Sequence, residues 1–176
     1  MMLKFMKNGL LPPGDHEISL ADLEKMMSEG PGNDQTWDTP WRLQLLQEFK
    51  KRYQQLLKVG INEVYIDGSY ATDKFHPNDM DVYFVVPRKT WRSGAEQALK
   101  DLDPEFWRFE TQLHEDGKVG YPMAFHHHIE MFPVYLEHTP AYAVCQELID
   151  PKIEFFRTDK HSRRSKGIIK IQEVPS

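Results

Sequence analysis

The sequence has little cysteine and no long apolar segment. Cys145 is the only cysteine among 176 residues, so neither an intrachain disulfide nor a cysteine-based zinc cluster can form. The apolar stretch at residues 1–11 is interrupted by two lysines and an asparagine, which makes it too short for a membrane span or a signal-peptide core. These absences predict a soluble protein of the reducing cytoplasm, with no membrane partner.

The chain also lacks a basic excess and internal repeats. It has 22 Lys and Arg residues against 27 Asp and Glu residues and a formal net charge of −5, whereas proteins coated by nucleic acid usually carry a positive excess. No segment repeats at a period of about 20–50 residues, which excludes solenoids and propellers. The remaining composition, 40% hydrophobic and 28% charged, is typical of one globular domain of this length.

Two helices are predicted in the first third of the chain. Ser19, with an acidic residue three positions later, forms a capping pattern that starts a short helix, and the glycine–proline break at residues 30–32 ends it. Thr39 and Pro40 start a longer helix, which Gly60 ends. The apolar stripe of this longer helix, spaced by three and four residues, consists of Trp41, Leu45, Leu46, Phe49, Tyr53, Leu56 and Leu57.

Beyond residue 60 the pattern changes to short strands mixed with helices. Strands are predicted at 64–66, 81–86, 106–113, 126–135, 153–157 and 168–171, helices at 93–102 and 141–148, a turn at 115–118 and irregular chain at 8–16. Several strands are too close in sequence for crossover helices, which favours an α+β fold with a mixed β-sheet and flanking helices. We expect a single domain with an N-terminal extension (1–38), a core (39–135) and a C-terminal helix and strands (136–176).

The most informative stretch runs from a Gly-Ser pair to an Asp-Met-Asp motif. Gly68 lets the backbone approach a phosphate closely, and the hydroxyl of Ser69 with the following amides can hold that phosphate. Asp79 and Asp81 are two residues apart on a strand, so both carboxylates point to the same face. Their Cα atoms would lie about 6.6 Å apart at roughly 3.3 Å per residue. Carboxylates at this spacing can share hard cations such as Mg²⁺.

This stretch resembles the DNA polymerase β-like nucleotidyltransferase superfamily in its minimal single-domain form. The signature of that superfamily is an apolar residue, Gly with Ser or Gly, about 9–13 further residues, and an Asp-apolar-Asp/Glu-apolar motif. Gly68-Ser69, a nine-residue gap and Asp79-Met80-Asp81-Val82 match each element. The resemblance extends over roughly residues 40–135 and implies a core like the polymerase β palm.

Three shorter segments resemble a second group of proteins. The opening at 11–17, the Asp-Gly-Ser core at 67–69 and the ending at 166–169 look like those of an uncharacterised bacterial family of small nucleotidyltransferase-like proteins. That resemblance supplies no activity.

The superfamily resemblance implies a metal-dependent reaction. Mg²⁺ (or Mn²⁺) would be bound by Asp79, by Asp81 and by a third carboxylate on a later strand. Glu130 is the first candidate for this third acid and Glu110 the reserve; the superfamily more often has Asp there, so Glu130 departs from its pattern. The third acid would orient or deprotonate the attacking hydroxyl, which attacks the α-phosphate of a nucleoside triphosphate in line and releases pyrophosphate.

The resemblance leaves the acceptor open. RNA, DNA, a protein or a small molecule would fit, and superfamily members act in bacterial toxin–antitoxin and antiphage systems. By that analogy we expect a role of this kind for a small single-domain protein, with an operon-encoded partner protein.

Two clusters of side chains outside the signature are candidates for nucleotide contacts. On the strand expected at 126–135, His126, His128 and Glu130 would share one face, and the two histidines would line the cleft as phosphate contacts, bind zinc or simply be exposed. The basic run near the C-terminus is either a solvated loop or a contact for triphosphate or nucleic acid. This run consists of Lys160, Arg163, Arg164, Lys166 and Lys170. Within it, Lys166 beside Gly167 is the candidate phosphate ligand.

Two other functions compete with the nucleotidyltransferase. A catalytically silent nucleotidyltransferase-like module would bind a nucleotide or a partner protein, as an antitoxin does, and the Glu at the third carboxylate position favours it. A zinc-dependent hydrolase built on His126, His128 and Glu130 lacks the fourth ligand that zinc usually needs.

Overall fold

The fold is described from a computed structural model, which covers residues 3–32, 36–137, 148–149, 157–159 and 161–172. The helical elements are α1 (Leu20–Glu29), α2 (Thr39–Lys58), a 3₁₀-helical turn (Gly68–Ala71), α3 (Arg88–Thr90), a π-helical turn (Trp91–Ala95), α4 (Glu96–Leu102) and α5 (Pro122–His127). The strands are β1 (Gly14–Ile18), β2 (Val64–Asp67), β3 (Met80–Pro87), β4 (Gln112–Leu113), β5 (Val119–Gly120), β6 (Ile129–Glu137), β7 (Leu148–Ile149) and β8 (Gly167–Ile171). None of the helices described is long and apolar enough to span a membrane.

The main sheet mixes parallel and antiparallel pairs. Its described strands follow the order β1-β8-β2-β3-β6-β7, and β4 and β5 form a separate antiparallel pair. β1 is parallel to β8 and β3 is parallel to β6, whereas β2 is antiparallel to both of its neighbours. The predicted α+β class with a mixed sheet and flanking helices is therefore confirmed.

Both faces of the sheet are apolar along most of their length. On β3, Met80, Val82 and Phe84 point to the face that packs in the main core with the apolar stripe of α2. The alternate residues Tyr83 and Val85 belong to a second buried cluster on the opposite face. Alternation along the strand therefore assigns Asp81 to this second face, away from the main core.

The two predicted helices begin where the capping residues place them. The hydroxyl of Ser19 accepts a hydrogen bond from the backbone N–H of Asp22 (3.1 Å), and Gly30, with φ of 89°, follows the last turn of α1. A carboxylate oxygen of Asp38 accepts a hydrogen bond from the backbone N–H of Trp41 (3.2 Å) at the start of α2. Because these signals are local, sequence alone located them.

Three of the predicted elements are wrong. Within 8–16, expected to be irregular, β1 starts at Gly14, because this segment pairs with β8 across the sheet. Residues 106–111 form a turn and irregular chain instead of a strand: Phe106 and Trp107 are buried in the core, and a carboxylate oxygen of Asp103 caps the turn. In the segment 126–135 the first residues end α5, which Pro122 starts, and the strand begins only at residue 129.

The remaining predictions hold in part. The helix expected at 93–102 begins earlier, at residue 88, and is interrupted by a π-helical turn at Gly94. The turn at 115–118 connects β4 and β5. The helix predicted at 141–148 lies outside the described residues except for Leu148, which is in a strand, and the strand predicted at 153–157 lies outside them except for Arg157.

Candidate active site

Three neighbouring strands bring one carboxylate each to the same level of the sheet. Asp67 of β2 is opposite Asp81 of β3, and Asp81 is beside Glu130 of β6. Neighbouring strands lie about 4.8 Å apart, and residues in register direct their side chains to one face. We call Asp67, Asp81 and Glu130 the carboxylate row. So much negative charge on a partly buried surface is unfavourable unless a cation compensates it.

Asp79 adds a fourth carboxylate directly before β3. Burial raises the pKa of Asp81 to about 7, with the negative charge of Asp79 as the next largest cause. The charges of Asp67 and Glu130 act in the same direction, whereas Lys166 opposes them. Burial, and after it the charge of Asp79, raises the pKa of Glu130 as well. The four acids therefore form one electrostatic group.

Gly68 makes room for the Asp81 carboxylate. It has φ of +67°, and a Cβ atom added there would collide with Oδ2 of Asp81. The sequence motif predicted a close approach between this glycine and a phosphate, and the close approach present in the structure is to Asp81. The Gly-Ser turn and the Asp-Met-Asp motif thus fit against each other within the protein itself.

Arg42 of α2 holds the turn that contains Ser69. Its guanidinium is fully buried, and Nη1 donates a hydrogen bond to the carbonyl oxygen of Tyr70 (2.9 Å). Nη2 donates to the carbonyl oxygens of Thr72 (3.1 Å) and Lys74. Burial lowers the pKa of Arg42 to about 10, so it remains charged at neutral pH. A helix residue thereby fixes the backbone that presents Ser69 to the cleft.

Lys166 pairs with Asp67 inside the site. Its Nζ lies 2.8 Å from Oδ1 of Asp67, and the two side chains are only 12% and 5% exposed. Burial raises the pKa of Asp67, and the Lys166 charge counteracts this effect. The next residue, Gly167, donates its N–H to the carbonyl oxygen of Leu11 (3.0 Å), which places Lys166 beside the N-terminal segment. Sequence reasoning identified Lys166 but missed Asp67.

These groups surround one cleft of about 580 Å³, a volume within the usual range for small-molecule sites. Gly68, Ser69, Asp79, Asp81 and Lys166 all line it, as does Asp67. Residues 8–10 of the N-terminal segment and residues 158, 159 and 161 line it as well. Five predicted site residues, four from residues 68–81 and one at position 166, therefore line the same cleft.

Glu130 belongs to the carboxylate row but is not among the residues that line this cleft. The reserve candidate, Glu110, is remote from the row: it is 70% exposed and its Oε1 lies 3.5 Å from Nζ of Lys100. Of the two candidates for a third acid, the structure therefore places only Glu130 beside Asp81.

The predicted arrangement of the histidines is wrong. His126 lies in the last turn of α5 with an exposed side chain, and neither it nor His128 lines the cleft. His128 has φ of 54° and follows the helix, with its ring against Trp41 at a centroid distance of 5.1 Å. The left-handed residue between helix and strand removes the alternation on which the shared face with Glu130 depended.

The residues of the basic run have different environments in the structure. Its described part folds back on itself through a bridge between residues 158 and 165, and Arg163 and Arg164 are exposed there. Lys170 pairs with Glu17 of β1, with 3.2 Å between Nζ and Oε1. Lys160 lies outside the described residues. Of the described cations of this run, Lys166 alone contacts a member of the carboxylate row.

The carboxylates do not form a closed cage. In the part of the chain that the structure describes, no group of three or more His, Cys, Asp or Glu side chains is arranged to hold a metal ion. The donor atoms nevertheless match a hard cation, since all are carboxylate oxygens. Mg²⁺ in nucleotide sites is usually bound by one or two carboxylates together with substrate phosphates, which makes Asp79 and Asp81 the relevant pair.

Comparison with known proteins places the chain in a family. The family described as "Family of unknown function (DUF6932)" matches residues 3–172. The chain belongs to this family. No curated protein and no solved structure matches the chain. The match to DUF6932 includes the residues that line the cleft, from the N-terminal segment at 8–10 to Lys166.

Proposed function

We propose that this protein is a Mg²⁺-dependent nucleotidyltransferase with a core like the polymerase β palm, which moves a nucleoside monophosphate from a triphosphate to a hydroxyl acceptor. One observation carries the proposal: the Gly-Ser turn and the carboxylates of Asp79 and Asp81 line the same cleft. Glu130 lies beside Asp81 on the adjacent strand. A phosphate-binding turn facing paired carboxylates is the arrangement that transfer of a phosphoryl group from a metal-bound nucleotide requires.

In this proposal some side chains of the site bind the metal ion and the phosphates, and another accepts a proton. Asp79 and Asp81 would hold Mg²⁺, which when bound neutralises phosphate charge and polarises the α-phosphate. The hydroxyl of Ser69 and the amides after it bind phosphate oxygens, and Arg42 keeps that turn in place. Glu130 lies outside the lining of the cleft but beside Asp81, and its carboxylate, whose pKa is raised by burial and by Asp79, would accept the proton of an acceptor hydroxyl that approaches from that side. The new bond joins that oxygen to the α-phosphorus, and the bond to the β-phosphate breaks as pyrophosphate leaves.

A catalytically silent nucleotide-binding module is the second candidate. The ion pair between Lys166 and Asp67 favours it, because an internal cation compensates part of the acidic charge without a metal. The two candidates share nucleotide binding and differ in turnover.

The test is transfer of label from α-³²P-labelled triphosphates in the presence of Mg²⁺. A panel of four triphosphates and several acceptors, including total RNA and the protein itself, is scored for labelled product and for released pyrophosphate. We expect turnover by the wild type and none by the Asp79→Ala/Asp81→Ala double variant. Glu110→Gln, which alters an exposed acid outside the cleft, serves as the control and should match the wild type.

The same series separates the two candidates. Binding of triphosphate by the wild type, with no label transferred to any acceptor, would support the silent module. Equal binding of Mg²⁺ and triphosphate by the wild type and the double variant would contradict both. Glu130→Gln is expected to retain binding of Mg²⁺ and triphosphate while losing at least about tenfold in turnover, as removal of a general base does.

A further inference from the structure

The cleft contains a cation that is already paired with one of the acids. Lys166 and Asp67 are both largely buried, and the ion pair between them is 2.8 Å long. Asp67 belongs to the carboxylate row through its register with Asp81. Lys166 therefore compensates the same group of charges to which a divalent cation would bind.

The charges in this group do not balance. Among the described residues, the group of four carboxylates, those of Asp67, Asp79, Asp81 and Glu130, is contacted by one lysine, Lys166, through Asp67, so the group carries an excess of negative charge when all are ionised. In the absence of other cations Lys166 is the charge that limits their repulsion. A divalent cation that entered the group would reduce the attraction between the carboxylates and Lys166.

The backbone around Lys166 is held by hydrogen bonds, whereas its ammonium group is at the end of a long side chain. The N–H of Lys166 donates to the carbonyl oxygen of Arg157 (2.8 Å), and the N–H of Gly167 donates to that of Leu11 (3.0 Å). A Cβ atom at Gly167 would collide with the carbonyl of Pro12, so the chain cannot shift easily at this point. A lysine side chain has four rotatable methylenes, and Ser69 of the predicted phosphate-binding turn lines the same cleft as Lys166.

We infer that Lys166 is an exchangeable counter-ion of the site, paired with Asp67 in the free protein and transferred to the triphosphate when a divalent cation and nucleotide bind. This inference rests on the proposed function, because it requires that the cleft bind both. The inference predicts opposite effects for the two residues. Lys166 weakens binding of the divalent cation and strengthens binding of the nucleotide, whereas Asp67 strengthens binding of the cation and keeps Lys166 paired in the free protein.

The experiment measures Mn²⁺ and nucleotide separately. Mn²⁺ binding is followed by the electron paramagnetic resonance signal of the free ion at pH 8, without nucleotide. Lys166→Met is expected to bind Mn²⁺ about five- to tenfold more tightly than the wild type, and Asp67→Asn about as much more weakly. With Mn²⁺ saturating, Lys166→Met should bind a non-hydrolysable triphosphate about tenfold more weakly, since one phosphate contact is lost.

Two further variants make the result specific. Asp67→Asn/Lys166→Met removes the pair together, leaves no uncompensated partner in the protein interior, and should bind Mn²⁺ within about twofold of the wild type while binding the triphosphate weakly. Lys170→Met removes a lysine of the same basic run that pairs with Glu17, outside the cleft, and should change neither affinity. Melting temperatures of all variants verify that each is folded.

The outcomes distinguish this inference from the proposed function. If Mn²⁺ binds the wild type and is lost in Asp79→Ala/Asp81→Ala, but Lys166→Met binds Mn²⁺ no more tightly than the wild type and Asp67→Asn/Lys166→Met no more tightly than Asp67→Asn, the counter-ion role is wrong and the metal site stands. If the wild type binds neither Mn²⁺ nor triphosphate, the proposed function fails and the inference fails with it.

Discussion

The carboxyl group of Asp81 occupies the least favourable electrostatic position described in the site. It lies between Asp67 and Glu130 across the sheet, with Asp79 two residues away, and it is displaced toward the backbone space that Gly68 leaves free. Such a group stores unfavourable energy in the free protein that a bound cation would release. Residues of this kind are common where catalysis needs charge close to a substrate.

This position predicts a pH-dependent stability. The pKa of Asp81 is about 7 in the folded protein and near 3.9 in an unfolded chain, so the unfolded state releases its proton first. The free energy of unfolding therefore decreases as the pH rises from about 4 to 7 and stays low above that. Asp81→Asn removes this penalty and should raise the free energy of unfolding at pH 8 by about 2–4 kcal/mol, with no gain near pH 4.

Urea denaturation between pH 4 and pH 8 without divalent cations checks this prediction. Glu110→Gln is the matched control, because it neutralises an exposed acid and should leave the pH profile unchanged. Addition of Mg²⁺ at pH 8 should stabilise the wild type but not Asp81→Asn. A variant less stable than the wild type at pH 8 would show that the Asp81 charge is compensated in the free protein.

At the scale of elements, α2 does more than cover the sheet. Its apolar stripe packs in the main core, and from the same helix Arg42 reaches the loop after β2. The guanidinium lies over the ring of Trp37 at 4.2 Å and over that of Tyr70 at 5.3 Å, so it is held on both sides. The predicted phosphate-binding turn is thereby attached to the most regular element of the fold.

Arg42→Met should therefore weaken both stability and binding. The substitution keeps an apolar side chain of similar length but leaves buried carbonyl oxygens of the loop without donors, which costs about 1–3 kcal/mol for each unsatisfied group. We expect a decrease of about 2–4 kcal/mol in the free energy of unfolding and faster proteolysis of the loop at 68–74. Arg92→Met, at an exposed arginine outside the cleft, is the control and should behave as the wild type.

The elements also show which parts of the fold are predictable from sequence. Helices α1 and α2 follow from capping residues and a regular apolar stripe, and β2, β3 and β8 from short apolar runs next to turn residues. β1 was missed because its pairing partner β8 is about 150 residues away in sequence, and nothing local requires it to be extended. The strand predicted at 106–113 failed because burial of Phe106 and Trp107 needs no regular element.

The same distinction applies to the candidate site. The Gly-Ser and Asp-Met-Asp segments were visible because their spacing is local, and the structure brings both to one cleft. Asp67 and Arg42 were missed, because by local spacing the former is only a residue next to a short strand and the latter only a polar residue on an amphipathic helix. Their roles depend on contacts between elements, which no residue spacing encodes. The histidines were misplaced because one left-handed residue breaks the alternation.

At the scale of the whole molecule, the site is built from both ends of the described chain. Residues 8–10 line one wall of the cleft, and Lys166 enters from the segment before β8. Gly167 connects the two, because its backbone lies against Pro12 and His16 with no space for a side chain. The contact between β1 and β8 therefore sets the position of Lys166 relative to the N-terminal residues that line the cleft.

Gly167→Ala tests this contact. The added methyl group would collide with the carbonyl oxygen of Pro12 and with the ring of His16, so β1 and β8 must separate locally. We expect a loss of about 1–3 kcal/mol in the free energy of unfolding and weaker binding of a non-hydrolysable triphosphate. Ser165→Ala, two residues earlier at an exposed position, should change neither. Unchanged binding by Gly167→Ala would show that Lys166 is positioned without this contact.

The sheet order has a consequence for how the protein is made. β8 lies between β1 and β2, so β1, which is synthesised about 150 residues before β8, has no partner until residues near 170 have emerged. During translation β1 stays unpaired and the position between β1 and β2 stays empty, and Lys166 is added with the same late segment. The nascent chain consequently holds its four acids without their lysine, and the assembled cleft exists only once synthesis has passed β8.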